Sequence, residues 1–237
     1  RIYIKMPKYH FITFATPDFM EYAKKNVESA LTVGGFDTAK IYTMNDIDNF
    51  YKAKNSHLLS YKRLGGYAVW KPYIIFKKLL EIDENDILCY NDSKYVWLTN
   101  VRNMEKQILL NKNIGVYSNK PNGERYIEKQ WTKGDAFLLM NIPNNDFGNY
   151  VKNSPQVWSG YILLRKSFNP LRFISEWLTY NQDYRIASDS QTKIVLNDKI
   201  FTENRHDQTI LSLLCKKWDI QMNMLDKFWM IDVRNPL

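Results

Sequence analysis

Asp83-Glu84-Asn85-Asp86-Ile87-Leu88-Cys89-Tyr90-Asn91-Asp92-Ser93-Lys94-Tyr95 is the stretch from which the rest of the chain is best read. An acidic turn at 83–86 leads into a short apolar run, and the run stops at Asn91-Asp92-Ser93. A brief apolar run bounded by turn residues reads as a buried strand. In an α/β sheet, ligands bind beyond the carboxyl ends of the strands. Asp92 stands at such an end. Spacing alone leaves two readings open, a ligand-facing carboxylate or a cap on the turn that closes the strand.

Upstream, residues 10–16 read as a first buried strand. Pro17-Asp18 opens a helix, with Thr16 as its N-cap. Met20, Ala23, Val27 and Ala30 share one face of it, and Gly34-Gly35 ends it. Residues 39–44 form a second strand. Strand, helix, strand in succession predicts a parallel sheet. Residues 45–61 are polar, helical or irregular. The segment 63–72 follows, with Gly65 and Gly66 free to take positive φ. Pro72 then starts a helix over 72–81, with Ile74, Ile75, Leu79 and Leu80 inward.

Downstream, the pattern predicts a helix over 101–111, a short strand over 115–117 and a loop over 141–149, which is rich in Asn, Pro and Gly. A strand over 157–165 and an amphipathic helix over 170–181 come next. A polar connection at 183–201 carries one apolar patch, 194–196. Residues 203–209 form a charged entry to a buried helix. An aromatic tail, 219–237, packs on the sheet. With no repeat, low-complexity tract or linker, the expectation is one α/β domain over 1–237, a mixed central sheet flanked by helices.

The net charge of +8 favours anionic partners. The basic residues are scattered in pairs such as Lys24-Lys25 and Lys77-Lys78, so a nucleic-acid partner is not expected. Cys89 and Cys215 each lie in an apolar run and read as buried thiols, which suits a reducing compartment and a cytoplasmic location. No stretch approaches the roughly 20 apolar residues of a membrane span, and none reads as a signal peptide. The chain starts Arg1-Ile2-Tyr3 without Met, as a trimmed chain or a piece of a longer one would.

Three clusters could carry chemistry. Asp92 could bind Mg²⁺ or Mn²⁺ bridging diphosphate oxygens, since hard cations need few protein ligands when the substrate supplies the rest. Arg205-His206-Asp207-Gln208 stands at a helix start, where His206 could ligate a metal and Asp207 could act as a base. The same residues could simply cap that helix. Arg63, Trp70 and Lys71 form the third cluster. Lys71 could pair with phosphate, and Trp70 could stack on a ring or be core. His10 and His57 are isolated and read as structural or exposed. Gly-x-Ser-x-Gly, P-loop and dinucleotide fingerprints are missing.

Four blocks together resemble a family of GT-A-type glycosyltransferases found in bacteria and large DNA viruses, among them chlorovirus enzymes that build capsid glycans. They are Gly65-Gly66-Tyr67-Ala68-Val69-Trp70-Lys71-Pro72, Asp86-Ile87-Leu88-Cys89-Tyr90-Asn91-Asp92-Ser93, Gln156-Val157-Trp158-Ser159-Gly160-Tyr161-Ile162, and Arg205-His206-Asp207-Gln208-Thr209-Ile210-Leu211. The resemblance covers about 60–215 and is more specific than any one block. It implies a nucleotide-diphospho-sugar donor, usually UDP-linked, a divalent metal (Mn²⁺ or Mg²⁺) and a glycan or glycoprotein acceptor. The same resemblance implies a nucleotide-binding half over 1–95 and an acceptor and sugar half over 96–237. Thr13, Ala15 and Thr16 would cradle base and ribose. Arg63, Trp70, Lys71, Asn91, Asp92 and Ser93 would meet the donor, and Trp158, Ser159 and Gly160 would line the sugar pocket. Asp92 and His206 would hold the metal. Asp207 and Gln208 would stand on the acceptor and anomeric side, with Asp135 a second candidate carboxylate. The sequence departs from the family pattern at Lys94, where a DxD motif has its second acid.

The resulting expectation is a metal-assisted hexosyl- or deoxyhexosyltransferase, leaning to retention of configuration. The alternative is a non-catalytic nucleotide- or glycan-binding module of the same fold. Sugar, acceptor and oligomeric state stay open.

Overall fold

A computed structural model of the chain describes residues 6–105, 109, 112–118, 126–224 and 229–234. The strands are β1 (Tyr9–Phe14), β2 (Thr38–Tyr42), β3 (Ile87–Asn91), β4 (Tyr95–Trp97), β5 (Ile114–Ser118), β6 (Val157–Arg165), β7 (Asn223–Met224) and β8 (Met230–Asp232). Among the described residues the central sheet runs β2-β1-β3-β6-β5-β7, and β4 pairs with β8 beside it. The longer helices are α1 (Met20–Thr32), α2 (Trp70–Glu81), α3 (Phe168–Asn181) and α4 (Asp207–Lys217). No helix among the described residues is long and apolar enough to cross a membrane.

β1 pairs in parallel with β2 and with β3, from His10↔Thr38 and Tyr9↔Ile87 onward. This is the parallel arrangement that strand–helix–strand order predicts. β6 then runs antiparallel to β3, with Asn91 opposite Tyr161. The sheet is therefore mixed, and its change of direction falls beside the end of β3.

Alternation along the strands feeds two cores. Ile12, Phe14, Leu88, Tyr90, Ile162 and Leu164 pack on one face, with Ile74 of α2, Trp177 of α3 and Leu211 of α4. Tyr9, Phe11, Ile87, Cys89 and Leu163 pack on the other, with Ala30 of α1, Trp97 and Trp229. The three layers follow from side chains that must be apolar on both faces of a covered sheet. Both cysteines are buried free thiols, as their apolar settings predict.

The differences from expectation lie mostly at element boundaries; in addition Leu80, expected inward, is 59% exposed. A 3₁₀ turn, Pro17–Phe19, precedes α1, and Thr16 makes no capping bond through its side chain. α2 begins at Trp70, so Pro72 sits in its first turn, where a missing N–H costs nothing. Within the expected loop 141–149, Asn145 accepts from the Gly148 N–H and starts a helix, Asp146–Asn153. Of the expected helix 101–111, Val101–Asn103 is a 3₁₀ turn, and residues 106–108 and 110–111 lie outside the described residues. The tail contributes β7 and β8, while 225–228 and 235–237 lie outside the described residues.

Candidate active site

Strand alternation sets the first contact. Tyr90 and Asp92 are two residues apart and share a face, and the Tyr90 hydroxyl donates to Asp92 Oδ1 at 2.8 Å. The backbone at this point is tied from three sides. Asp92 N–H donates to Gly160 O at 2.9 Å, and Asn26 Nδ2 donates to Asp92 O at 3.0 Å. Thr13 Oγ1 donates to Asn91 O at 2.7 Å, while Asn91 Nδ2 donates to Gly160 O at 2.8 Å. Thr13 and Asn91 are fully buried, so they position the strand end from behind.

Lys71 arrives on the first turn of α2. The chain enters that helix through Leu64, Gly65, Gly66, Tyr67 and Ala68, all with positive φ. Left-handed backbone costs about 1–2 kcal/mol for each residue with a Cβ. Side-chain donors hold the run in place: Trp70 Nε1 to Leu64 O at 3.0 Å, Asn181 Nδ2 to Ala68 O at 3.1 Å, and Tyr51 OH to Val69 O at 2.8 Å. The turn delivers Lys71 into the interior, where it is 5% exposed.

Four oxygens surround the Lys71 ammonium. Asp207 Oδ2 is at 2.7 Å and Asp92 Oδ1 at 3.4 Å. Ser159 O and Oγ are at 3.3 and 3.4 Å. Burial disfavours the charge on Lys71, but Asp207 and then Asp92 more than offset it and raise its pKa. Three separated sequence blocks thus meet at one ammonium. Asp207 is itself buried at the start of α4, where Trp177 Nε1 donates to its carbonyl at 3.1 Å.

A cleft of about 550 Å³ opens over this cluster. Lys71, Tyr90 and Asp92 line its inner part. Phe14 and Trp70, stacked on each other at 3.7 Å and 13°, form an aromatic wall with Thr16 nearby. Ser93, Lys94, Lys62 and Arg234 also line it.

Other expected residues lie apart from the cleft. Arg63 bridges Asp189 at 3.3 Å and Glu203 at 2.7 Å. Asp135 accepts from the backbone N–H groups of Lys193, Ile194 and Val195 at 2.7–2.9 Å. Burial opposes ionisation of its carboxyl, and those N–H groups outweigh it, holding its pKa below the usual range. Asp135 is thereby occupied in fixing a loop. Ala15 is buried and does not line the cleft. Trp158 packs edge-on to Tyr95, on the opposite face from Ser159. A Cβ on Gly160 would stand 2.4 Å from the Trp158 ring, so this close approach requires glycine. Gln208 accepts weakly from Ser159 N–H at 3.4 Å and donates to Gln156 Oε1 at 2.8 Å, linking α4 to β6.

His206 has φ of 54° and is 1% exposed. Its Nδ1 bonds Ala187 O at 2.8 Å, and its Nε2 faces Asp189 Oδ1 at 3.6 Å. Burial pushes its pKa down. It does not line the cleft that Asp92 lines. Among the described residues no group of three or more His, Cys, Asp or Glu side chains could hold a metal ion. Lys71 Nζ stands between Asp92 and Asp207, so these two carboxylates do not fit a divalent cation while the lysine is in place.

Sequence reasoning did not single out Tyr90, Asn26, Lys62 or Arg234. The two-residue strand period was a usable signal for Tyr90. Arg234 reaches the cleft only through the pairing of β8 with β4, which no local pattern announces.

No protein-family model and no curated protein matches the chain. Among solved structures, it is similar to apo mouse xyloside xylosyltransferase 1, at 12% identity and a TM-score of 0.49, over 93% of this chain and 86% of that one. It is also similar to the apo WbbM bifunctional glycosyltransferase, at 10% identity and a TM-score of 0.48. That match covers 89% of this chain and only 38% of the other. Both neighbours are glycosyltransferases by their titles. At scores this low the likeness carries no argument about chemistry, which has to come from the cleft.

Proposed function

We propose that the chain is a glycosyltransferase that takes a sugar from a nucleoside-diphosphate donor, UDP-linked in the family its four blocks resemble. The observation that carries the reading is Lys71, a buried ammonium held by Asp92 and Asp207 beneath an aromatic-walled cleft. An aromatic wall suits a base or sugar ring. The ammonium fixes the two carboxylates at the cleft, and a preorganised array of charges is an effective catalytic device. Asp92, partly exposed and anchored by Tyr90, is the carboxylate that can face the sugar. Asp207 and Ser159 position the ammonium. A glycan acceptor would enter from the open side of the cleft, and retention remains the preferred stereochemistry.

The alternative, a binding module without turnover, draws on one observation: Asp207 is already neutralised by Lys71. Release of UDP from a panel of UDP-sugars, with and without glycan acceptors, separates the two readings. The enzyme reading expects turnover, with Asp92→Asn slower by on the order of 100-fold at unchanged circular dichroism. UDP binding without any release by the wild type would favour the module.

A further inference from the structure

The cluster around Lys71 has the form of a cation site whose cation is part of the chain. Two carboxylate oxygens and two serine oxygens converge on one ammonium. A divalent ion needs carboxylate oxygens at about 2.0–2.6 Å. To gain Asp207 it would have to displace the lysine. Asp92 Oδ1 is also held by the Tyr90 hydroxyl. His206, the other expected ligand, is bound to Ala187 and directed at Asp189.

A second pair of cations stands at the same cleft. Lys94 follows Asp92 by two residues, at the position of the missing acid. Its Nζ lies 3.5 Å from Asp232 Oδ2. Arg234 binds the same carboxylate through Nη2 at 2.8 Å and Nε at 3.0 Å. The two cations share one carboxylate, which leaves one positive charge between them, and Asp18 and Asp92 are the carboxylates that line the same cleft. The β4–β8 pairing, Tyr95↔Asp232, holds them next to each other, and both line the cleft with Asp92 and Ser93. Guanidinium and ammonium groups on a fixed support are suited to phosphate oxygens.

We infer that the cleft binds the donor diphosphate through the Lys94–Arg234 pair, with Lys71 standing as the cation between Asp92 and Asp207, and not through a divalent metal. The inference rests on the donor-nucleotide reading above and gives that reading its phosphate subsite. Lys94 and Arg234 are phosphate-binding residues, and Asp232 is the positioning residue that sets their spacing. Inorganic pyrophosphate, which offers the same oxygens without a base, would compete for this subsite.

Calorimetric titration with UDP, in EDTA and separately in excess Mn²⁺, tests it on the intact chain. The expected result is the same affinity in both buffers, within about twofold. Lys94→Ala and Arg234→Ala change partly exposed side chains and should leave the fold intact. Each should weaken UDP by about tenfold, as loss of a charge-assisted hydrogen bond does. Neither should change the binding of uridine, and pyrophosphate should displace UDP from the wild type. Binding of UDP only in Mn²⁺, or wild-type UDP affinity in both variants, overturns the inference and leaves the donor reading standing. No binding of UDP, ADP or GDP in either buffer overturns both.

Discussion

Lys71 and His206 show what burial does to a titratable side chain. Lys71 keeps its charge because two carboxylates offset the loss of water, whereas at His206 burial outweighs the nearby Asp189 and Asp207. The consequence for His206 has a definite sign. Its folded pKa lies below the ordinary 6.5, so between those values the unfolded chain binds more protons. Its contribution to stability is complete above about 6.5 and is lost as pH falls through the folded value. Urea midpoints should hold steady down to about pH 6.5 and then drop. His206→Asn, which can still donate to Ala187 O, should flatten that drop; equal slopes in the two proteins would contradict the assignment. At this scale much was legible in the sequence. Asp92, Lys71 and Asp207 stood out as functional groups in polar settings. That Lys71 binds both carboxylates was not legible, because a contact between residues 71 and 207 depends on how α2 and α4 cross the sheet.

The element that sets the site is the left-handed run from Leu64 to Ala68. Gly65 and Gly66 mark it in the sequence, but Leu64, Tyr67 and Ala68 share its conformation without any signal in their identity. They are held by Trp70, Asn181 and Tyr51, which come from α2, α3 and a short helix at Asn49–Lys54. At Gly66, φ is 92° and an added Cβ would lie 2.7 Å from Leu59 Cα. Gly66→Ala should therefore cost at least about 1–2 kcal/mol in chemical denaturation, with donor binding weakened as Lys71 shifts. A change within about 0.5 kcal/mol, as at an ordinary surface site, would show that the turn is not needed. Strands and long helices were legible from periodicity. The helix at Asp146–Asn153 was not, because its Asn, Gly and Asp content reads as loop until Asn145 is seen to cap it.

At the scale of the molecule, β1, β2 and β3 run parallel, β6 reverses direction, and the cleft opens where β3 ends beside that reversal. This much follows from strand order and from buried runs on both faces, which is why the α/β class and the place of Asp92 could be read early. The entry of β8 into the site could not, since two short strands far apart in the chain pair without a periodic signature. On the proposed function, this cleft is the seat of a nucleoside diphosphate whose sugar is transferred. A crystal structure of the protein soaked with UDP tests it most directly. The expected result is UDP in the cleft, with its base on the Phe14–Trp70 wall and its diphosphate beside Lys94 and Arg234. UDP seated elsewhere on the molecule, with this cleft empty at saturating nucleotide, would contradict it.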